Sequence, residues 1–246
     1  DGVDAGRIGE RVSIEPQKPC RKCGYCKSGR YNLCPEMEFY ATPPVDGAFC
    51  EYVTIGDDFA FPVSDAISDD AAGLMEPLSV AIAAVQKANL QNGQTVLIAG
   101  AGPIGIITAQ VAKAFGASKV SIVDLSETRR NFALQFGVDQ AFDPTSPEYE
   151  DVSADVFIDA SGSSAAIQAG LARTRPGGCV VLVGSADVVP FSVPEIAMRE
   201  VDVTGIFRYT NTWPIAIDLV ERGLVQLDPL VTTVYGLDQV EQALTD

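Results

Sequence analysis

From about residue 76 onward the chain alternates apolar runs with helix-like segments, and this pattern limits its fold more than any other feature. Alternation of strands and helices is typical of a parallel α/β sheet. We therefore predict a doubly wound parallel α/β sheet in this region, preceded by a β-rich region. The predicted strands are 11–15, 47–53, 95–99, 119–123, 156–159, 179–183 and 201–207, and the predicted helices are 104–115, 126–136, 164–173 and 214–221.

A glycine-rich run follows the strand at 95–99 and opens a helix. In this context Gly-x-Gly-x-x-Gly is the fingerprint of a dinucleotide site, because the backbone can approach a pyrophosphate at a helix N-terminus. Asp124 follows the next strand, where a carboxylate accepts hydrogen bonds from ribose hydroxyls and favours NAD over NADP. Arg129 and Arg130 leave open a contact with a phosphate or with adenine. The predicted cofactor residues are Gly100, Gly102, Pro103, Ile104, Gly105, Asp124 and Arg129.

Four of the six cysteines, Cys20, Cys23, Cys26 and Cys34, lie in one short stretch. Four thiolates at this spacing can surround one tetrahedral cation, and a closed sulfur shell favours a structural zinc ion. Two disulfides or an iron–sulfur cluster are the alternatives that the spacing leaves open. Basic side chains between the sulfurs are expected to help ionise the thiols. Cys50 and Cys179 are predicted to be ordinary small apolar residues.

The composition of the chain indicates a globular protein and excludes several kinds of partner. Of the 246 residues, 47% are hydrophobic and 20% are charged, as in a globular protein with a substantial core. The formal charge of −16 argues against nucleic acid or an anionic membrane as a partner. No apolar run has membrane-spanning length, and a cytoplasmic location is predicted. The sequence contains no histidine, the usual proton carrier near neutral pH.

Several segments occur in an order that resembles a known family. Together they resemble the zinc-dependent medium-chain dehydrogenases, and the stretch 199–214 resembles their sorbitol dehydrogenase branch. The resemblance implies a partial GroES-like catalytic domain over 1–77, a Rossmann NAD-binding domain over 78–207 and a partial return to the catalytic domain over 208–246. The segments that carry it are the cysteine stretch, 31–35, 41–44, 76–80, 100–105 and 207–209.

The resemblance also implies an activity. A homo-oligomer would use NAD and zinc to oxidise a secondary alcohol of a sorbitol-like polyol. A threonine or simple alcohol dehydrogenase and a non-catalytic NAD-binding fragment are the alternatives. In relatives a cysteine and a His-Glu pair that hold a catalytic zinc lie upstream of the segment matching 9–12, and a final strand follows the segment at which this chain stops. The chain is therefore expected to be incomplete at both ends. Ala83 stands where many relatives have a histidine.

Matching positions assign roles to individual residues. Glu76 resembles the acidic residue beside the catalytic zinc, although its position also suits a helix-start carboxylate. Arg208 and Tyr209 resemble the pair that reaches the polyol, and Arg208 is expected to anchor Glu76. Phe39 resembles an aromatic residue of the substrate cleft. The matching cofactor positions are Ile104, Val183, Gly184, Ser185, Ile206 and Phe207.

Overall fold

The computed structural model describes residues 2–186 and 188–246. Its strands are β1 (Val12–Ile14), β2 (Gln17–Lys18), β3 (Glu38–Phe39), β4 (Ala60–Pro62), β5 (Thr95–Ala99), β6 (Lys119–Val123), β7 (Gln140–Phe142), β8 (Ala154–Asp159), β9 (Thr174–Leu182) and β10 (Asp202–Gly205). Its α-helices are α1 (Gly24–Lys27), α2 (Asp69–Gly73), α3 (Met75–Lys87), α4 (Pro103–Ala114), α5 (Glu127–Ala133), α6 (Pro147–Glu150), α7 (Ser164–Arg173), α8 (Val193–Arg199), α9 (Trp213–Glu221) and α10 (Val240–Thr245).

A six-stranded parallel sheet is the centre of the fold, with strand order β10-β9-β8-β5-β6-β7. The direction of winding reverses between β8 and β5, which confirms the predicted doubly wound Rossmann arrangement. Because all adjacent pairs are parallel, the carboxyl ends of the six strands lie along one edge. Ligands of open α/β sheets bind at such an edge, near the reversal point.

Helices cover both faces of this sheet. Val96 and Ile98 of β5 face one apolar core and Leu97 faces the other, as the period of two in a strand requires. Helices α3 and α4 pack on the first face, α9 packs against α3, and α7 packs on the second face. The helix predicted at 126–136 is confirmed: Ser126 caps α5, and Gly137, with φ of 77°, ends the 3-10 turn after it.

The N-terminal region contains two small antiparallel pairs, β1 with β4 and β2 with β3. The strand predicted at 47–53 is wrong, because the structure has bends there instead. Phe49 and Tyr52 are 73% and 88% exposed, so no neighbouring strand covers them in the part of the chain described. Cys50 is also exposed, contrary to its predicted apolar role, whereas Cys179 is half-buried. The strand predicted at 201–207 is limited to β10.

Among residues 2–186 and 188–246, every helix is too short or too polar to span a bilayer. The domain limits predicted at 77 and 207 stay predictions.

Candidate functional site

The loop between β5 and α4 has the geometry that a dinucleotide site needs. Gly100 has φ of 98°, and a Cβ there would lie 3.0 Å from the Ala160 carbonyl oxygen. A Cβ on Gly105 would overlap the Gly100 carbonyl oxygen, so glycine lets the helix start close to the strand. Gly102 has open space where a Cβ would be, and Pro103 begins α4. The chain therefore forms a cradle at a helix N-terminus that fits a pyrophosphate.

Asp124 lies directly beside this loop. One carboxylate oxygen accepts a 2.8 Å hydrogen bond from the Ala101 N–H, and the other accepts one of 2.8 Å from the Ser126 N–H. A carboxylate has about four acceptor positions, so these bonds leave positions for ribose hydroxyls. Arg130 donates to the carbonyls of Asp124 and Leu125 and pairs with Asp143 at 3.1 Å. Arg130 thus shapes the loop, and Arg129, which is exposed, is the arginine still available to a cofactor.

The other predicted cofactor positions lie along the same sheet edge. Val183, Gly184 and Ser185 directly follow β9, while Ile206 and Phe207 follow β10. Ile104 is in the first turn of α4. The fold therefore brings all the predicted cofactor residues to the carboxyl edge of the sheet.

Asp159, at the end of β8, was missed as a site residue in the sequence. It is fully buried, and its carboxylate accepts from the Ser161 N–H at 3.0 Å, the Ser161 hydroxyl at 2.6 Å and the Gly162 N–H at 3.2 Å. A Cβ on Gly184 would collide with Gly162 and approach Asp159. Asp159 thus orders the loop beside the cofactor cradle. The signal for this role was an aspartate at a strand end followed by Ala-Ser-Gly-Ser, which favours a side-chain-stabilised turn.

The four cysteines of the N-terminal stretch converge. All four sulfur atoms lie within 4.8 Å of one another, and the Cys23 and Cys26 sulfurs are 3.4 Å apart. Tetrahedral zinc with Zn–S bonds of about 2.3 Å requires sulfurs about 3.8 Å apart, so the set fits a zinc ion. All six cysteines of the chain are free thiols, which argues against the disulfide alternative. We call residues 20–34 the cysteine lobe.

The charge state of the sulfurs also suits a metal. Main-chain N–H groups of Lys22 and Cys23 donate to the Cys20 sulfur and lower the pKa of that thiol to about 7. Burial raises the pKa of the Cys26 thiol to about 12, so a cation is needed to ionise all four sulfurs together. The predicted help from basic side chains is not seen for Arg21 and Lys22, because Arg21 pairs with Asp58 and Lys22 pairs with Glu36.

Glu76, in the first turn of α3, faces Tyr209, which lies in the segment after β10. Burial raises the pKa of the Glu76 carboxyl, and its neighbour Tyr209 opposes that rise. Burial and the nearby Glu76 carboxylate also raise the pKa of Tyr209. The Tyr209 hydroxyl is buried without a hydrogen bond of ordinary geometry in the described structure. The pair thus offers a proton acceptor and an unsatisfied hydroxyl.

Arg208 does not anchor Glu76, and that prediction is wrong. Its guanidinium carbon lies 4.0 Å from the Phe39 ring centroid and 4.8 Å from that of Phe207, so two aromatic rings hold the cation. The structure does bring Phe39 next to the predicted substrate pair, with 6.5 Å between the Phe39 and Tyr209 ring centroids. Arg208 also has φ of 56°, a left-handed conformation that is unfavourable for a residue with a side chain.

Within the described residues, Glu76 is not part of a group of three or more metal-ligating side chains. Across residues 2–186 and 188–246, the cysteine lobe is the one group of metal-ligating side chains close enough to hold an ion. These residues alone therefore do not fit a catalytic zinc at Glu76.

Glu15, which sequence analysis placed in a strand without a role, is a buried carboxylate. It is 1% exposed and accepts 2.8 Å hydrogen bonds from the Tyr31 hydroxyl and the Gln17 amide. Burial raises the pKa of Glu15 to about 7, and these two hydrogen bonds limit the rise. No local pattern signals this arrangement, because its partner Tyr31 lies 16 positions further along the chain.

Replacing Glu15 with glutamine is expected to stabilise the protein at pH 8 but not at pH 5. In the folded chain the pKa of Glu15 is above its unfolded value, so its stabilising contribution is present below pH 4.5 and is lost as pH rises through 7. At pH 8 the ionised carboxylate costs at most about 3 kcal/mol. Thermal unfolding of Glu15→Gln across this pH range measures the gain. The exposed Glu38→Gln variant is the control, and an equal gain at both pH values would contradict the prediction.

Comparison with known proteins agrees with this geometry. Residues 103–222 match the family model "Zinc-binding dehydrogenase", and residues 1–65 match "Alcohol dehydrogenase GroES-like domain". The chain is 41% identical to the sorbitol dehydrogenase of Bacillus subtilis strain 168, over 98% of this chain and 71% of that enzyme.

Solved structures show the same architecture. An alcohol dehydrogenase from Escherichia coli CFT073, complexed with NADH, superposes with a TM-score of 0.94 at 25% identity, over 100% of this chain and 75% of that one. L-Idonate 5-dehydrogenase from E. coli K-12 superposes with a TM-score of 0.90 at 28% identity, over 96% of this chain and 71% of that one. The chain therefore belongs to the zinc-binding, medium-chain dehydrogenase family and to its sorbitol dehydrogenase branch.

Proposed function

We propose that the protein is an NAD-dependent, zinc-binding oxidoreductase that interconverts a polyol secondary alcohol and the corresponding ketone. The observation that carries this proposal is the open cradle at Gly102, which shares one sheet edge with Arg208 and Tyr209. A cofactor in the cradle would have its reactive end near the residues that resemble a polyol site. The similarity to a sorbitol dehydrogenase and to L-idonate 5-dehydrogenase supports a polyhydroxylated substrate.

The chain's own residues account for cofactor binding. The N–H groups at the start of α4 would donate to the pyrophosphate, and Asp124 would accept from the adenosine ribose. A 2′-phosphate would lie against the Asp124 carboxylate, so NAD is preferred to NADP. When bound, NAD accepts the hydride from the carbinol carbon of the substrate. The cysteine lobe would hold zinc in a closed four-sulfur shell, which leaves no position for substrate.

The alcohol must also lose its hydroxyl proton, and Glu76 is placed to accept it. The 246-residue sequence contains no histidine, and Glu76 is the carboxylate that faces Tyr209. The raised pKa of Glu76 moves this carboxyl toward the working pH, which improves a general base. Tyr209 can donate its unpartnered hydroxyl to the substrate oxygen or to Glu76. Phe39 and Arg208 would form the wall against which the polyol lies.

Replacing Glu76 with glutamine tests this role. The amide keeps the shape of the side chain but cannot take a proton, so kcat with sorbitol is expected to fall by at least about 100-fold. The pH profile should lose the rise in rate that deprotonation of Glu76 produces. The measurement is initial-rate NADH formation across pH, with NADH affinity determined in parallel.

Glu241→Gln is the matched control, because Glu241 is an exposed carboxylate in the first turn of α10. It should leave kcat and the pH profile unchanged. Wild-type rates and a wild-type pH profile in Glu76→Gln would refute the assignment.

The alternatives differ in substrate and in chemistry. We infer polyols over threonine or simple alcohols because Arg208 and Tyr209 match the polyol branch, and a panel of sorbitol, xylitol, threonine and ethanol separates these. A pure NAD-binding protein would bind NADH but turn over none of them. We further propose a homo-oligomer in a reducing, cytoplasmic setting, which six free thiols support; sedimentation would measure the oligomer.

A further inference from the structure

The cysteine lobe lies against the substrate segment, defined here as residues 207–211. Asn32 of the lobe donates a 2.8 Å hydrogen bond to the Phe207 carbonyl. The Gly29 carbonyl accepts from the Thr210 hydroxyl at 2.7 Å and from the Asn211 amide side chain at 3.0 Å. The lobe thus contacts both ends of the segment that presents Arg208 and Tyr209.

A second set of contacts passes through Tyr31. Its hydroxyl accepts a 2.8 Å hydrogen bond from the Asn211 main-chain N–H and donates one of 2.8 Å to the buried Glu15. Gln17, which also donates to Glu15, donates to the Tyr209 carbonyl at 3.1 Å. Because Glu15 is almost fully buried, this chain of bonds ends on a carboxylate with little freedom to move.

The backbone of the substrate segment needs such support. Arg208 and Asn211 have φ of 56° and 57°, although neither is glycine. Residues with side chains hold this left-handed conformation only where the surroundings fix it, and such residues cluster at functional sites. The hydrogen bonds from the lobe act on Phe207, Thr210 and Asn211, the residues that flank or adopt the strained conformation.

We propose that the cysteine lobe positions the substrate site, with Tyr31 and Asn32 as positioning residues for the segment that carries Arg208 and Tyr209. This inference rests on the proposed function for the statement that residues 207–211 bind the polyol. The anchoring of this segment by the lobe is measured separately, by hydrogen exchange and by Trp213 emission. Tyr31 and Asn32 act through hydrogen bonds to the main chain of residues 207–211. The lobe then contributes to polyol recognition as well as to stability.

The test compares Tyr31→Phe with Tyr25→Phe. Both remove one hydroxyl from the same lobe, but Tyr25 is 49% exposed and its side chain has no hydrogen bond in the described structure. Hydrogen exchange is followed at residues 207–211, and the emission of Trp213, the one tryptophan of the sequence, reports on the same region. Trp213 packs against Tyr209 with 5.4 Å between ring centroids. Asn32→Ala is the second variant, in case Tyr31→Phe does not fold.

In Tyr31→Phe and Asn32→Ala, amides 207–211 should exchange at least about tenfold faster and Trp213 emission should shift, since roughly one net hydrogen bond is lost. The KM for sorbitol should rise about tenfold while the NADH dissociation constant stays within about twofold. Tyr25→Phe should match wild type in all respects. Unchanged exchange at 207–211, or faster exchange spread evenly over the whole chain, would overturn the proposal. If wild type oxidises no polyol, the proposed function fails, while the exchange and emission data still decide the anchoring.

Discussion

Gly102→Ala is expected to weaken NADH binding by about 100-fold and to leave the fold intact. A Cβ at Gly102 meets no atom of the chain within 4 Å, so the substitution creates no internal clash. The same methyl group occupies the space in which the pyrophosphate would approach the start of α4. Loss of about two charge-assisted hydrogen bonds corresponds to about 3 kcal/mol, or about 100-fold in affinity. Calorimetric titration with NADH and a thermal melt measure the two effects.

Gly105→Ala, unlike Gly102→Ala, should lower the thermal stability of the protein. Its Cβ would overlap the Gly100 carbonyl oxygen, and backbone cannot move away as a flexible side chain would. We expect a loss of at least about 3 kcal/mol of stability, or a fall in Tm of about 6–12 °C. Gly73→Ala is the control for both variants, because Gly73 is a helical residue outside the glycine-rich loop and a Cβ there would meet no other atom.

Normal NADH affinity in a folded Gly102→Ala would show that the loop between β5 and α4 is not the cofactor site.

Cys26→Ser should remove the zinc ion and at least about 3 kcal/mol of stability. Four sulfurs within 4.8 Å of one another satisfy a tetrahedral ion, and three do so poorly. Metal binding to a closed site is part of the folding free energy, so its loss lowers Tm. Because the lobe holds the substrate segment, the amides at 207–211 should also lose protection from exchange.

Elemental analysis and thermal unfolding provide the measurements. Wild type should carry one zinc per chain, and Cys26→Ser should carry much less than one. Cys50→Ser, at an exposed cysteine outside the lobe, should retain both zinc and Tm. Iron with visible absorbance would instead support a cluster. Unchanged zinc content and Tm in Cys26→Ser would refute the zinc site.

The features that could be predicted from sequence are those set by local periodicity and spacing. Alternating apolar runs predicted five of the six strands of the sheet, because a buried parallel strand needs apolar residues on both faces. The short edge strand β7 (Gln140–Phe142) was not predicted. The glycine run and Asp124 lie as expected, with the Asp124 carboxylate 2.8 Å from the Ala101 nitrogen. The four cysteines converge because their spacing leaves few other arrangements.

Features that depend on contacts between distant segments could not be predicted. Arg208 stacks on Phe39 and Phe207 and does not pair with Glu76, and no sequence pattern distinguishes these partners. In the network from Glu15 through Tyr31 to Asn211, the hydrogen bond between Tyr31 and Asn211 joins residues 180 positions apart. The strand expected at 47–53 is absent for a related reason. Alternation of apolar and polar residues does not form a strand unless a neighbouring strand pairs with it.

Titration of the wild-type chain with NADH and with NADPH, followed by the fluorescence of the bound nicotinamide, tests whether the loop after β5 and Asp124 form an NAD site. We predict saturable binding of one NADH per chain and at least about tenfold weaker binding of NADPH, because Asp124 disfavours a 2′-phosphate. Absence of saturable NADH binding, or equal affinity for the two coenzymes, would contradict the account.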